Sequence, residues 1–234
     1  MTISEKIDII RYNIAESAKK AGRKAEDVFL LPVSKTKPVE MIREVLKCNI
    51  NAIGENYVQE FVKKYEILTD EVKEYHFIGH LQSNKIKYII DKTHLIHSVH
   101  SLELLKEIDK RAKKLGRIQN VLIEVNFTKE ETKNGIYEEN LEELLYSSNA
   151  FENVYIKGLM MMPPASYNEE MLKKTFCNFN ELFLKTASKD FGKTVSMNTL
   201  SMGMSGDYKI AVSQGSTLVR IGSTIFGERD YTNK

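Results

Sequence analysis

Lys35 ends the apolar run Phe29-Leu30-Leu31-Pro32-Val33. Over an apolar floor, burial favours the neutral amine, the nucleophile that builds Schiff bases with aldehydes. Taken alone, the segment fits a solvated loop lysine better, because most lysines lie at the surface. Two later segments add weight: Leu200-Ser201-Met202-Gly203-Met204-Ser205-Gly206-Asp207 and Arg220-Ile221-Gly222-Ser223. Glycines let a backbone approach an anion closely, and free N–H groups and serine hydroxyls donate to it. No Gly-Lys-Ser/Thr occurs, so this is not a Walker loop. Arg220 sits in an apolar run, where a guanidinium is costly unless paired. Its partner is either a nearby carboxylate or an acceptor on a ligand.

The elements around these residues alternate. An opening helix carries Ile7, Ile10, Ile14, Ala18 and Ala21 on one face. Strands are then predicted at Val28–Val33, Ile50–Ile53, Tyr75–Ile78, His94–Val99, Asn120–Phe127, Val154–Met160, Val195–Leu200 and Leu218–Ile221. Amphipathic helical runs separate them: one begins at Pro38, one carries Ile86, Ile89 and Ile90, and one is capped by Ser101. Eight strand–helix units demand a parallel sheet. At this length they predict an α/β fold, a single (β/α)8 TIM barrel preceded by an N-terminal helix, as one domain over residues 1–234. A doubly wound open sheet is the alternative; it usually carries a glycine-rich first turn, and here the chain reads Ser34-Lys35-Thr36-Lys37-Pro38.

Composition narrows the classes. Lys plus Arg number 34 and Asp plus Glu 32, a net charge of +2, too balanced for a nucleic-acid or membrane-surface protein. Hydrophobic residues at 42% and charged residues at 28% exclude disorder. No apolar run can span a bilayer, and the start lacks a signal-peptide core. Only Cys48 and Cys177 occur, which excludes a disulfide scaffold or four-cysteine zinc site and points to the cytoplasm.

In a barrel, active sites lie at the C-terminal strand ends, and phosphate often binds after strands seven and eight. That makes the two Gly/Ser turns a phosphate site and Lys35 its companion at the mouth. A phosphorylated aldehyde offers both handles. Pyridoxal 5′-phosphate (PLP) is one candidate, and a phosphosugar in a Schiff-base aldolase is another. Arg220 leans toward PLP, where it would face the pyridine nitrogen. Arginine stays protonated and cannot give that nitrogen a proton, so the ring is a poorer electron sink. His94, His97 and His100 are a poor metal set, because residues three apart on a strand face opposite ways; no metal is expected. Met160 to Met162 should pack the mouth. Glu124 and Asn126 share a strand face, lining the interior or supporting the site. Lys37, Lys85 and Lys133 read as surface residues rather than secondary acceptors.

Six motifs stand in order. They are Val33-Ser34-Lys35-Thr36-Lys37-Pro38, Gly54-Glu55-Asn56-Tyr57-Val58-Gln59-Glu60, His76-Phe77-Ile78-Gly79-His80-Leu81-Gln82-Ser83-Asn84-Lys85, Lys157-Gly158-Leu159-Met160, Leu200-Ser201-Met202-Gly203-Met204-Ser205 and Val219 to Gly227. Together, from Ile7 to Tyr231, the chain resembles the pyridoxal phosphate homeostasis protein family. The resemblance implies a barrel like the N-terminal domain of alanine racemase, with PLP as a Schiff base on Lys35. It implies phosphate contacts at Ser201, Ser205, Gly222 and Ser223, Arg220 at the ring nitrogen, and Asn56 and His76 near the cofactor. Ser223 stands where many members have threonine, which keeps the hydroxyl. The implied function is intracellular vitamin B6 homeostasis as a PLP carrier or regulator without robust catalysis, with PLP-requiring apo-enzymes as partners. The alternative is a PLP-dependent amino-acid racemase. Racemization needs a second acid/base on the opposite ring face, which alanine racemases place with a second domain and a dimer partner. With strand eight ending near Ile221, no such domain is expected here, and a monomer is.

Overall fold

The computed structural model describes residues 1–228. Residues 229–234, including Tyr231 at the end of the motif-bearing stretch, lie outside the described residues. One eight-stranded sheet of parallel pairs runs in the order β1-β8-β7-β6-β5-β4-β3-β2. Its strands are β1 (Phe29–Pro32), β2 (Ala52–Glu55), β3 (Glu74–Phe77), β4 (Leu95–Val99), β5 (Gln119–Glu124), β6 (Val154–Met160), β7 (Val195–Met204) and β8 (Leu218–Ile221). Between β1 and β2 the ring is joined by a single bridge, Val33 to Gly54, and by the Ser34 N–H donating to the Gly54 carbonyl. The fold is the expected (β/α)8 barrel, nearly closed.

Strand β7 runs four residues further than expected, to Met204, carrying Ser201 into the sheet rather than into the turn. One crossover also differs. Ile86, Ile89 and Ile90 lie on a short 3-10 segment, Ser83–Tyr88, and the turn after it, not on an α-helix. The 3-10 segment and the turn after it still bury all three isoleucines.

The α-helices are α1 (Ile3–Lys20), α2 (Val39–Leu46), α3 (Val58–Leu68), α4 (Leu102–Lys114), α5 (Leu141–Ser147), α6 (Glu169–Ala187), α7 (Tyr208–Ser213) and α8 (Ser223–Phe226). Pro38 is the N-cap of α2 rather than its first turn, and Ser101 caps α4 as expected, its hydroxyl accepting from the Leu104 N–H at 3.1 Å. Helix α1 opens with a reciprocal cap between Thr2 and Glu5. Its Ile7, Ile10 and Ile14 stripe packs with Tyr208, Val212, Ile225 and Phe226. That packing braces α7 and α8, the elements that follow β7 and β8.

Gly158 marks a tight point in the wall. It follows an irregularity in the β5–β6 and β6–β7 pairing, its φ is +153°, and a Cβ there would stand 1.8 Å from the Thr199 carbonyl oxygen. Gly158→Ala should therefore destabilise the fold by about 3 kcal/mol or more, since a backbone atom has nowhere to yield. Urea unfolding checks this; an unchanged midpoint contradicts it.

Candidate functional site

At the C-terminal strand ends the barrel holds a cavity of about 280 Å³. Its walls include Lys35, Asn56, Ser205, Arg220, Gly222 and Ser223. These are six of the eight residues expected from sequence, drawn from the ends of β1, β2, β7 and β8. Met162 also lines it, as expected of the methionine run. Lys37, read as a plain surface residue, lines it too, and its Nζ donates to the Glu228 carbonyl at 2.6 Å.

Lys35 is half-buried in a turn that its neighbours hold rigidly. The Lys64 ammonium, from α3, donates to the Ser34 carbonyl (2.7 Å), Glu55 Oε1 (2.8 Å) and Glu60 Oε2 (3.2 Å). All three ammonium protons are thus used. The Ser34 hydroxyl donates to Glu55 Oε1 at 2.5 Å, and the Thr36 N–H donates to Glu60 Oε2 at 2.7 Å. Both neighbours of Lys35 are therefore tied to one ammonium-centred cluster. Thr36 has φ +62°, a left-handed conformation that costs a β-branched residue about 1–2 kcal/mol and persists only where surroundings enforce it. Burial pushes the Glu55 carboxyl up, with Lys64 pulling against it.

Asn56 is placed by a close approach: a Cβ on Gly79 would stand 2.1 Å from the Asn56 carbonyl oxygen, so only glycine lets β2 and β3 end side by side. The buried Asn56 Oδ1 has no hydrogen-bond partner among the described residues. On the opposite wall, the Ser205 hydroxyl accepts from the Gly222 and Thr224 N–H groups at 3.2 and 3.3 Å.

Arg220 is 4% exposed. Its Nη1 donates to Ser201 Oγ at 2.6 Å and its Nη2 to the Met161 carbonyl at 3.0 Å. Among the described residues no carboxylate makes an ion pair with it, so the buried-ion-pair reading does not hold. Burial pushes its guanidinium down to about 10, against the longer-range pull of Asp207 and Glu124.

The other two expected residues, Ser201 and His76, do not line this cavity. Ser201 is fully buried in the barrel interior, where it bonds Arg220 and His97, not in the Gly/Ser turn. It is in the sheet because β7 extends past it. His76 lies deeper, lining a second cavity of about 320 Å³ with Phe29, Glu74, His94 and Asn120 near the N-terminal strand ends. It reaches the upper cavity only through His97, Ser201 and Arg220. Sequence reasoning set His97 aside and passed over Lys64, Glu55 and Glu60. The Glu60–Lys64 spacing of four on one helix was the visible signal.

Asn126 is structural: its amide donates to the Glu130 and Lys133 carbonyls and shapes the loop after β5. Glu124 is 3% exposed, and burial pushes its carboxyl up to about 7 despite Arg220 and Lys133. The folded state therefore binds this proton more tightly than the unfolded chain. That contribution is complete below about 4.5 and is lost as pH rises through about 7. Wild type and Glu124→Gln should match in stability near pH 4. By about pH 8 the wild type should be weaker by up to about 3 kcal/mol, read by urea unfolding. A constant difference across this window contradicts the assignment.

Barrel and cavity together define a class. The family model described as alanine racemase, N-terminal domain, matches residues 6–230. An alanine racemase of Clostridium difficile superposes with a TM-score of 0.68 at 17% identity, over 95% of this chain and 60% of that one, which speaks to fold alone. PipY of Synechococcus elongatus, solved with PLP bound, superposes with a TM-score of 0.83 at 29% identity, over 97% of this chain and all of that one. The pyridoxal phosphate homeostasis protein of Aquifex aeolicus is 44% identical over 99% of this chain and 100% of its own length. The chain belongs to the pyridoxal phosphate homeostasis protein family.

Proposed function

We propose that the whole barrel is one PLP-binding domain that holds PLP through Lys35 and serves vitamin B6 balance as a carrier or regulator. The observation that carries this is the meeting, around one small cavity, of a primary amine, a buried cation and an amide oxygen, the cation without a carboxylate and the oxygen without a partner among the described residues. The fit is specific in type: Asn56 Oδ1 wants a donor, Arg220 wants an acceptor, Ser205 and Ser223 offer hydroxyl donors for a phosphate, and Gly222 lets the backbone between them come close. PLP supplies an aldehyde that condenses reversibly with an amine. Lys35 is the amine, held at its post by the Lys64 cluster. Arg220 at the ring nitrogen is a permanent cation that keeps its own proton, which supports holding over turnover. Ser201 and His76 act through Arg220 rather than on the ligand. The bound PLP of PipY and the name of the Aquifex relative support the same reading.

Among the described residues no helix is long and apolar enough to cross a membrane. Cys48 and Cys177 are free thiols, which supports a cytoplasmic setting. We place the carrier there as a monomer that delivers PLP to apo-enzymes. The test loads the protein with PLP, then offers it L-alanine and, separately, a PLP-requiring apo-enzyme, with its mass in solution measured alongside. Recovered apo-enzyme activity without formation of D-alanine is expected. Robust racemization that vanishes in Lys35→Ala overturns the carrier reading in favour of a racemase.

A further inference from the structure

A line of hydrogen bonds crosses the barrel from end to end. Arg220 Nη1 meets Ser201 Oγ at 2.6 Å, His97 Nδ1 meets Ser201 Oγ at 3.1 Å, His97 Nε2 meets His76 Nδ1 at 3.0 Å, and His76 Nε2 meets Glu74 Oε2 at 3.4 Å. The five residues come from β8, β7, β4 and β3. Ser201 and His97 are wholly buried, His76 and Arg220 nearly so, and Glu74 opens on the lower cavity beside His94.

The two ends of the line together leave it one workable direction. Arginine has donors and no acceptor, so Ser201 Oγ accepts from it. With His97 protonated on Nε2, as the Glu74 end requires, the Ser201 proton goes to His97 Nδ1. A neutral imidazole with Nδ1 accepting carries its proton on Nε2, which donates to His76 Nδ1. By the same logic His76 donates from Nε2 to Glu74, an acceptor-only carboxylate. The reverse assignment would set the bare His76 Nε2 lone pair against that carboxylate, two acceptors facing each other. Burial disfavours the imidazolium of both histidines, and the bond from His76 holds Glu74 ionised.

We propose that this is a one-way relay in which Glu74 fixes both imidazole tautomers, the Ser201 rotor and so the Arg220 guanidinium. Ser201, His97, His76 and Glu74 are then positioning residues for a group at the far end of the barrel. Aligned bonds of one polarity strengthen one another in a low-dielectric interior. The lower cavity thereby becomes a place from which the upper one is tuned: whatever changes the acceptor at Glu74 changes what Arg220 presents. The consequence for PLP rests on the function proposed above, but the relay itself does not.

The test is imidazole 15N spectroscopy on the full-length, PLP-free protein, paired with PLP binding. In the wild type both His76 and His97 should carry the proton on Nε2. Glu74→Gln, at a half-exposed position that folding tolerates, can donate as well as accept, so a mixture of tautomers is expected. PLP binding should weaken by about 2- to 30-fold, the range of such couplings. Glu26→Gln, which borders the same lower cavity outside the relay, should change neither. Ser201→Ala should weaken PLP binding by about tenfold, and Ser201→Thr, which keeps the hydroxyl, should restore most of it. A wild-type His97 protonated on Nδ1, or unchanged tautomers in Glu74→Gln, overturns the relay. Shifted tautomers with unchanged PLP affinity overturn the positioning claim. A wild type that fails to bind PLP overturns the proposed function instead, while the spectra still judge the relay.

Discussion

Lys64→Met should destabilise the protein by about 3–5 kcal/mol at pH 8, the cost of leaving a buried carboxylate without its cation. Glu55 is fully buried, its Oε2 has no partner among the described residues, and Lys64 supplies the charge beside its Oε1. In Lys64→Met the Glu55 carboxyl is raised further, so the folded state holds its proton more tightly than the unfolded chain. That contribution is present at low pH and is lost as pH rises, so the defect should shrink toward pH 5. Adding Glu55→Gln should recover part of the loss at pH 8, because it removes the stranded charge. Chemical denaturation across pH reads all three. A defect that is constant with pH, or a double variant no better than the single one, contradicts this account. The functional consequence follows: with the Ser34 carbonyl and Glu60 released, Lys35 loses its fixed turn and PLP attachment should slow.

Arg220→Met should separate stability from binding. Burial pushes the guanidinium from its ordinary value down to about 10, so the barrel interior disfavours its charge by roughly 3 kcal/mol. Methionine relieves that cost but leaves the Met161 carbonyl without its donor, a loss of about 1–3 kcal/mol. The two nearly offset, and the melting temperature should stay within a few degrees. PLP should bind more weakly by about 10- to 150-fold, the worth of one charge-assisted hydrogen bond. A protein that unfolds, or one that binds PLP as before, contradicts the placement of Arg220 as a ligand-facing cation maintained at a stability cost.

The fold was legible because its signal is local. Short β-rich runs separated by amphipathic ones mark eight strands, and the observed bounds differ by a few residues. Ile86, Ile89 and Ile90 misled because a spacing of three and four suits a 3-10 turn that buries them as well as an α-helix. The mouth of the cavity was legible too, because barrel geometry says which strand ends meet. The barrel interior was not. His97 was weighed against His94 on its own strand, whereas its partners, His76 and Ser201, stand on β3 and β7. Lys64 reads as one more charge on α3, and nothing local says that its ammonium reaches the Ser34 carbonyl thirty residues earlier. Contacts of that range are set by how the sheet closes.

In the proposed function Lys35 is the residue that holds PLP. Borohydride reduction of the PLP-incubated protein, followed by peptide mapping, tests it most directly. A reduced pyridoxyl group on Lys35 is expected, with the matching absorption band before reduction and neither signal in Lys35→Ala. A label on Lys37 or on surface lysines with Lys35 unmodified, or a protein that gains no band on adding PLP, contradicts it.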